Sequence, residues 1–190
     1  MTAMIELVRE GTVTSAKGFV AGGTYAGLKT AGDDVLDLAI LKSEHLATVA
    51  GTFSTNKVLS PSVTLTKQRV AGGSARGVVA NSGCANCSVG GQGLKDAAEM
   101  AALAAAHADV APEEMLVCST GLIGVELPMA LLRQNIGNIH VDDGGGSQFA
   151  RAIMTTDSRV KEMAVTVDVG ETRITLGGAA KGVGMIHPNM

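Results

Sequence analysis

Residues 76–108 of the chain read RGVVANSGCANCSVGGQGLKDAAEMAALAAAHA, an apolar run followed by an alanine-rich one. Positions 76–81 have the short apolar composition that is typical of a buried strand. Positions 94–108 predict a helix, because alanine is the strongest helix former and apolar side chains recur at helical spacing. A strand that leads into such a helix indicates helices packed closely on a sheet. The predicted buried face of the helix consists of Leu94, Ala97, Ala98, Ala101, Ala102 and Ala105.

Strand-like and helical runs alternate on both sides of this stretch. Further strands are predicted at 35–41, 47–53, 115–118, 163–169 and 172–176, the last two as a hairpin. Further helices are predicted from the Ser60 N-cap to before Gly72, at 128–136 and at 147–154, with a polar connector at 141–146. This pattern predicts a single domain over 1–190 of layered α/β or α+β class, and periodicity does not choose between the two.

The composition excludes several classes of function. Only 2% of the 190 residues are aromatic and the net charge is −3, so neither stacking platforms nor a basic surface for nucleic acid is expected. No window is apolar enough to span a membrane, and residues 1–11 lack a targeting pattern. Three cysteines do not make a disulfide framework. We therefore expect a cytoplasmic protein that binds neither nucleic acid nor membrane.

The segment 118–124, CSTGLIG, leaves a predicted strand through two glycines. Such a turn can present a backbone N–H and a hydroxyl to a developing oxyanion, because glycine lets the chain approach a ligand closely. A purely structural turn has the same composition, so the segment alone leaves both interpretations open.

Two other segments allow both a structural and a functional interpretation. RAIMTTD, at 151–157, places two hydroxyls and a carboxylate at a predicted helix end, where they commonly satisfy backbone groups. Lys181 stands before Gly-Val-Gly in an apolar context. It is either a solvated charge or a cation that points into a cleft and pairs with a substrate carboxylate.

Cys84 and Cys87 form a single Cys-x-x-Cys pair. A zinc site needs four ligands, and the third cysteine and the four histidines are scattered along the sequence. We therefore expect no metal site and no catalytic redox pair. The sequence also lacks the spacing of a dinucleotide-binding or phosphate-binding loop.

Four segments resemble the ornithine acetyltransferase family. NSGCAN at 81–86 is similar to the family's NSG-x-AN, CSTGLIG at 118–124 to STG-(L/V)-IG, and AIMTTD at 152–157 to the same motif. KGVGMIHPNM at 181–190 resembles KGVGM-(I/L)-x-P-x-M, which in that family runs into a self-cleavage point. The resemblance covers nearly the whole chain and identifies it as the α chain of such a processed enzyme.

The resemblance implies a glutamate N-acetyltransferase of arginine biosynthesis, which moves an acetyl group from N-acetylornithine to glutamate. Cleavage would make a threonine the first residue of the β chain, where its own α-amine, with an unperturbed pKa of about 7.7–8.0, can serve as base. The acetylated threonine would then pass the group on in ping-pong fashion. No metal or organic cofactor is implied, and the resemblance leaves open whether acetyl-CoA is a second donor.

The resemblance also assigns residues. Thr120 and Gly121 take the oxyanion-hole positions, and Thr155 and Lys181 take substrate-binding positions, with Thr156 as the next candidate for the threonine role. Met190 adjoins the cleavage point, because the family's α chain normally ends in an alanine one residue later.

The family fold is a helix–sheet–sheet–helix sandwich built from both chains, with two α and two β chains in a heterotetramer. Residues 181–190 are accordingly expected to form an apolar strand at a sheet edge that the second chain covers. Two rival classes stay open: a related self-processing aminopeptidase, and a non-catalytic small-molecule-binding domain, since this chain offers no nucleophile–base pair of its own.

Overall fold

The computed structural model describes residues 5–190 of the chain. The sequence predicts no targeting pattern in residues 1–11, and residues 1–4 of that segment lie outside the described residues. The strands of the described part are β1 Ile5–Val8, β2 Phe19–Thr24, β3 Leu38–Thr48, β4 Ser74–Cys84, β5 Met115–Leu122, β6 Lys161–Val169 and β7 Thr172–Ala180. The α-helices are α1 Pro61–Val70, α2 Gln92–Ala108, α3 Met129–Asn135 and α4 Gly146–Ala152. Short 3₁₀ helices span Val13–Ser15, Pro112–Glu114 and Ile136–Asn138.

Four strands form a mixed sheet in the order β2-β3-β4-β5. The first two pairs are antiparallel, whereas β4 and β5 run parallel. A parallel pair requires a crossover connection, and α2 supplies it. The strand and the helix predicted within 76–108 are therefore confirmed, and together they produce the parallel pair of the sheet.

Helix α2 packs with α1 and α3 on one face of this sheet. Its buried side chains meet Ile40 of β3, Val79 of β4 and Val117 of β5. Half of the residues predicted on the buried face of α2 are in fact buried. The buried face is rotated around the helix toward Met100, whose large apolar side chain is fully buried. The buried hydrophobic residues of α2 are Ala97, Met100, Ala101, Ala104, Ala105 and Ala108, whereas Leu94, Ala98 and Ala102 are exposed.

The opposite face of the sheet carries α4 and a second sheet. Phe149 and Ala152 of α4 pack on Ala21, Ala39 and Ala80 of the first sheet. The second sheet has the order β1-β6-β7 and is antiparallel throughout. Its inner face is buried at Ala164 and contacts the same cluster through Ala179. The mixed α/β class with two sheets is thus confirmed.

The other side of the second sheet is apolar and exposed. Cross-strand partners share a face, and the pairings of Leu7 with Val165 and of Val165 with Leu176 place all three on this side. No helix within residues 5–190 covers it. The second helix layer of the expected sandwich is therefore absent from the described part of the chain. We call this surface the outer sheet face; its large exposed side chains are Ile5, Leu7, Met163, Val169, Ile174 and Leu176.

Of the two strands predicted at 35–41 and 47–53, the structure has only one: β3 covers Leu38–Thr48, and residues 49–53 lie outside any strand. The polar residues between the two predicted strands produce a shift of register between Lys42 and Ala47 and do not end β3. Strand β2 escaped prediction because its glycines read as a break in the sequence. In the fold, Gly22 and Gly23 instead let the backbones of His140 and Gln148 pack against the strand.

The prediction of a strand at 181–190 is wrong. Strand β7 ends at Ala180, and Gly182 turns the chain with a φ of +128°. The Gly182 N–H donates to the carboxylate of Asp157 at 2.6 Å, so it is unavailable for a strand ladder. Further along, the Asn189 carbonyl accepts a hydrogen bond from the Thr55 N–H at 2.8 Å.

The remaining predicted elements agree with the structure. Ser60 caps α1 by accepting from the Val63 N–H, helices cover most of 128–136 and 147–154, and the hairpin turns at Gly170. No helix between residues 5 and 190 combines the length and the apolar character needed to cross a membrane.

Candidate functional site

A cleft of about 480 Å³ opens where β4 and β5 end and where the segment after β7 passes over them. Four of the five predicted site residues line it: Thr120, Gly121, Thr155 and Lys181. These residues lie on three separate parts of the chain, and the fold brings them together. The fifth, Met190, is exposed and lies near Thr52, outside the residues that line the cleft.

Backbone packing places Gly121 at the end of β5. Its φ is +131°, a conformation that side chains other than glycine rarely adopt. A Cβ atom at this position would overlap the backbone of Gly83 and Cys84 on β4. Gly83 itself has a φ of +107°, and a Cβ atom there would overlap the Leu28 carbonyl. Two glycines in contact therefore let the ends of the parallel strands meet at the floor of the cleft.

The Thr120 hydroxyl is oriented by Lys181. The Lys181 ammonium donates a hydrogen bond to Thr120 Oγ1 at 2.8 Å. An ammonium group has no acceptor, so the hydroxyl accepts in this bond and its own hydrogen stays available to a third group. A donor of this kind suits a developing negative charge in the cleft.

Asp157 ties two of the cleft segments together. One carboxylate oxygen accepts from the Gly182 N–H at 2.6 Å and from the Lys161 ammonium, and the other accepts from the Thr155 N–H at 3.2 Å. The side chain is fully buried. Burial by itself would raise the pKa of this carboxyl, but the hydrogen bonds from Lys161 and the two backbone groups outweigh it and hold the pKa well below its usual range. The residue therefore stays ionised and fixes the backbone beside Thr155 and Lys181.

A buried polar network supports β5 just before Thr120. The Ser119 hydroxyl is 2.8 Å from that of Ser62 at the start of α1. The Asn86 amide donates to the Ser62 hydroxyl at 3.3 Å and to the Gly93 carbonyl at 2.8 Å. The network thus links the first turns of α1 and α2 to the end of β5 and restrains the position of Thr120.

Cys84 and Cys87 are free thiols. Cys84 is buried, its Sγ donates to the Val125 carbonyl at 3.0 Å, and burial raises the pKa of its thiol. Between residues 5 and 190, no three side chains of the His, Cys, Asp or Glu type are grouped to hold a metal ion.

Two residues of the site gave little or no signal in the sequence. Asp157 belongs to the TTD motif, but only the fold shows its bonds to Thr155 and Gly182. Lys29 also lines the cleft, and its place there depends on the sheet order that sets it beside β4. Neither local composition nor spacing points to Lys29.

Comparison with known proteins finds relatives over the whole length of the chain. Residues 20–190 match the family model described as ArgJ family. The chain is 43% identical over 190 residues to the arginine biosynthesis bifunctional protein ArgJ of Dehalococcoides mccartyi, covering 100% of this chain and 47% of that protein. It is 46% identical over 182 residues to the protein of the same name from Symbiobacterium thermophilum, covering 95% of this chain and 45% of that one. The chain thus spans about half the length of the curated relatives it matches.

Solved structures show the same fold. The crystal structure of arginine biosynthesis bifunctional protein ArgJ from Bacillus halodurans superposes with a TM-score of 0.94 at 36% identity, covering 100% of this chain and 99% of that one. Ornithine acetyltransferase from Mycobacterium tuberculosis, crystallised with ornithine, gives a TM-score of 0.89 at 37% identity, covering 98% and 99%.

Proposed function

The chain belongs to the ArgJ family, and we propose on this basis that it is the α chain of a glutamate N-acetyltransferase of arginine biosynthesis. The enzyme would move an acetyl group from N2-acetylornithine to glutamate. The observation that carries this proposal is the cleft in which the Thr120 hydroxyl, oriented by Lys181, stands beside Gly121. A relative of the same fold crystallised with ornithine supports the substrate class.

The attacking group would come from a second chain that begins with threonine. Its hydroxyl oxygen attacks the acetyl carbon, its α-amine takes the proton, and a tetrahedral oxyanion forms. The Thr120 hydroxyl and backbone N–H groups near Gly121 would stabilise that charge. Ornithine leaves with the proton as its amine, and the acetyl group remains as an ester on threonine. The amine of glutamate then attacks the ester, and the threonine hydroxyl is regenerated.

Lys181 would have two roles in this reaction. Its bond to Thr120 would orient the oxyanion donor, and its side chain lines the cleft in which a substrate carboxylate would lie. Thr155, with Thr156 beside it, would contact the substrate from the other side. The buried carboxylate of Asp157 would hold both segments in register.

The outer sheet face supports the proposal that a second chain binds to this one. It exposes six large apolar side chains on one continuous sheet surface, with Leu7 and Leu176 exposed by 68% and 56%. Contiguous apolar surface of this kind marks an interaction site. A β chain released from the same precursor would cover it, and two α and two β chains would assemble into a heterotetramer. A cytoplasmic location would fit the three free cysteines.

The test is to express the full-length precursor and to measure its mass and its activity. An intact-mass spectrum should show two chains, the second beginning with threonine. Incubation with N-acetylornithine should acetylate that threonine and release ornithine, and added glutamate should remove the acetyl group. A parallel incubation with acetyl-CoA decides whether it is also a donor. An unprocessed chain without acetyl transfer would refute the proposal, and release of amino acids from peptides would favour the aminopeptidase class.

A further inference from the structure

Lys29 lies between two neighbouring cavities. It lines the cleft of Thr120 and Lys181, and it also lines an adjoining cavity of about 520 Å³. Arg151 and Arg159 line the second cavity together with Asp34. Its ammonium donates one hydrogen bond, to the Met154 carbonyl at 3.1 Å.

The backbone at Lys29 is held by a buried carboxylate. Asp37 is fully buried, and its oxygens accept from the backbone N–H groups of Ala26 at 2.6 Å, Leu28 at 2.7 Å and Lys29 at 3.0 Å. These three bonds fix the loop before β3 and thereby the direction of approach of the Lys29 side chain. Within residues 5–190, the Asp37 carboxylate forms no ion pair with the Lys29 ammonium, although its charge is close enough to raise the pKa of Lys29.

The Lys29 ammonium is under-compensated at this position. Burial lowers its pKa, and the charge of Asp37 opposes the shift only in part. A partly dehydrated cation with one neutral acceptor retains further N–H donors and gains from an anion placed against it. No Asp or Glu of the described chain forms an ion pair with Lys29, and Asp34, which also lines the second cavity, pairs with Arg151 at 3.6 Å.

We propose that Lys29 binds a carboxylate of the amino-acid substrate. The inference rests on the proposed function for the identity of that substrate. N-acetylornithine and glutamate both carry an α-carboxylate, whereas glutamate alone also carries a carboxylate on its side chain. The cleft has two cations, Lys29 and Lys181, and the second already bonds Thr120. Lys29 therefore adds a second cation for a substrate carboxylate, beside Lys181, whose ammonium also orients the oxyanion donor.

The test pairs a change in the residue with a change in the substrate. The processed full-length protein is compared with Lys29→Met, which removes the charge and the donor, and with Lys29→Arg, which keeps both. Lys95→Met, on the exposed side of α2, is the matched control for loss of one positive charge. Each protein is assayed with N-acetylornithine and with its α-carboxamide as donors, and with glutamate and with glutamine as acceptors.

Lys29→Met should lower kcat/KM for N-acetylornithine by about ten- to a hundredfold, mostly through KM, and should have little effect on the carboxamide. Lys29→Arg should recover most of the loss, and Lys95→Met should behave as wild type. A loss confined to glutamate, absent with N-acetylornithine and with glutamine, would contradict this expectation and place the contact on the side-chain carboxylate. Losses shared by N-acetylornithine and glutamate would assign the common α-carboxylate.

Two outcomes would overturn the inference. Unchanged kinetics in Lys29→Met would show that Lys29 does not bind the substrate. An equal loss of kcat/KM with the carboxylate and the carboxamide substrates would show that Lys29 acts only through its hydrogen bond to the Met154 carbonyl. Calorimetric titration with glutamate measures binding directly, and it therefore tests the role of Lys29 independently of acetyl transfer. Binding that depends on Lys29 in a protein without acetyl transfer would refute the function alone, whereas transfer with Lys29-independent binding would refute the inference alone.

Discussion

Lys181 and Thr120 are 61 positions apart in the sequence, and the Lys181 ammonium donates to the Thr120 hydroxyl at 2.8 Å. The direction of this bond has a chemical consequence. Since the lysine can only donate, the threonine hydrogen points elsewhere, and the cleft is the open space beside it. The pair thus presents an oriented hydrogen-bond donor to the cleft.

Thr120→Ala should slow acetyl transfer and leave substrate affinity nearly unchanged, because an oxyanion donor acts on charge that develops only in the transition state. Loss of one such donor costs about 2.7–4 kcal/mol, or roughly 10²–10³ in kcat. Steady-state kinetics on the processed protein measure this, with Thr120→Ser as the variant that keeps the hydroxyl. Precursor cleavage should slow as well, since it passes through a similar oxyanion. Wild-type turnover in Thr120→Ala would exclude the loop from catalysis.

Lys181→Met and Thr120→Ala should be strongly non-additive if the lysine acts through the threonine. Once the hydroxyl is gone, removal of the lysine should cost only its contribution to substrate binding, seen in KM. A double-mutant cycle on kcat measures the coupling, which we expect at about 1–3 kcal/mol. Strict additivity would mean that the 2.8 Å bond has no role in catalysis.

Gly121→Ala should be far more damaging than Gly124→Ala. Both glycines have positive φ, +131° and +82°, so alanine is strained at either position. At Gly124 a Cβ meets no atom within 4 Å, whereas at Gly121 it overlaps the backbone of Gly83. Thermal melting and acetyl-transfer assays of the two variants measure the difference. Gly124→Ala has backbone strain alone, whereas Gly121→Ala has backbone strain and steric overlap. Equal behaviour of the variants would contradict the close packing of β4 on β5.

Asp157→Asn should weaken the protein at neutral pH and flatten its response to acid. The folded-state pKa of Asp157 is depressed, so its contribution to stability is fully present above the unfolded value of about 3.9 and is lost as pH falls below it. As the pH falls below about 4, the free energy of unfolding of the wild type should therefore fall more steeply than that of the variant. Denaturant titrations at several pH values measure this slope. Asp33→Asn, at an exposed position before β3, is the control.

Residues 1–190 expressed alone should aggregate or remain loosely folded and inactive. The cause lies in the outer sheet face and not, as the sequence suggested, in a terminal strand. Replacing Leu7 and Leu176 with threonine should improve the solubility of the isolated chain and weaken its association with the second chain in the full protein. Leu46→Thr, an exposed leucine on β3, is the control. A soluble, sharply melting monomer of the unaltered chain would contradict the need for a partner.

Local patterns in the sequence determined the elements whose signals are local. The apolar run in β4, the alanine spacing in α2, the Ser60 cap and the Gly170 turn each depend on residues close in the chain, and the structure confirms all four elements. Family membership could also be recognised from the sequence, because the motifs that contain Thr120 and Thr155 are each an uninterrupted stretch of a few residues. Strand β2 was missed because its glycines have no local advantage in a strand.

Only the tertiary structure decided which of these segments meet. Sheet order brought Lys29 to the cleft, and the contact of Gly83 with Gly121 brought the strand ends together. The hydrogen bond from Gly182 to Asp157 turned the last segment away from the sheet, which no property of residues 181–190 could have shown. Propensity acts over a few neighbouring residues, whereas a site depends on hydrogen bonds and packing between segments far apart in the chain.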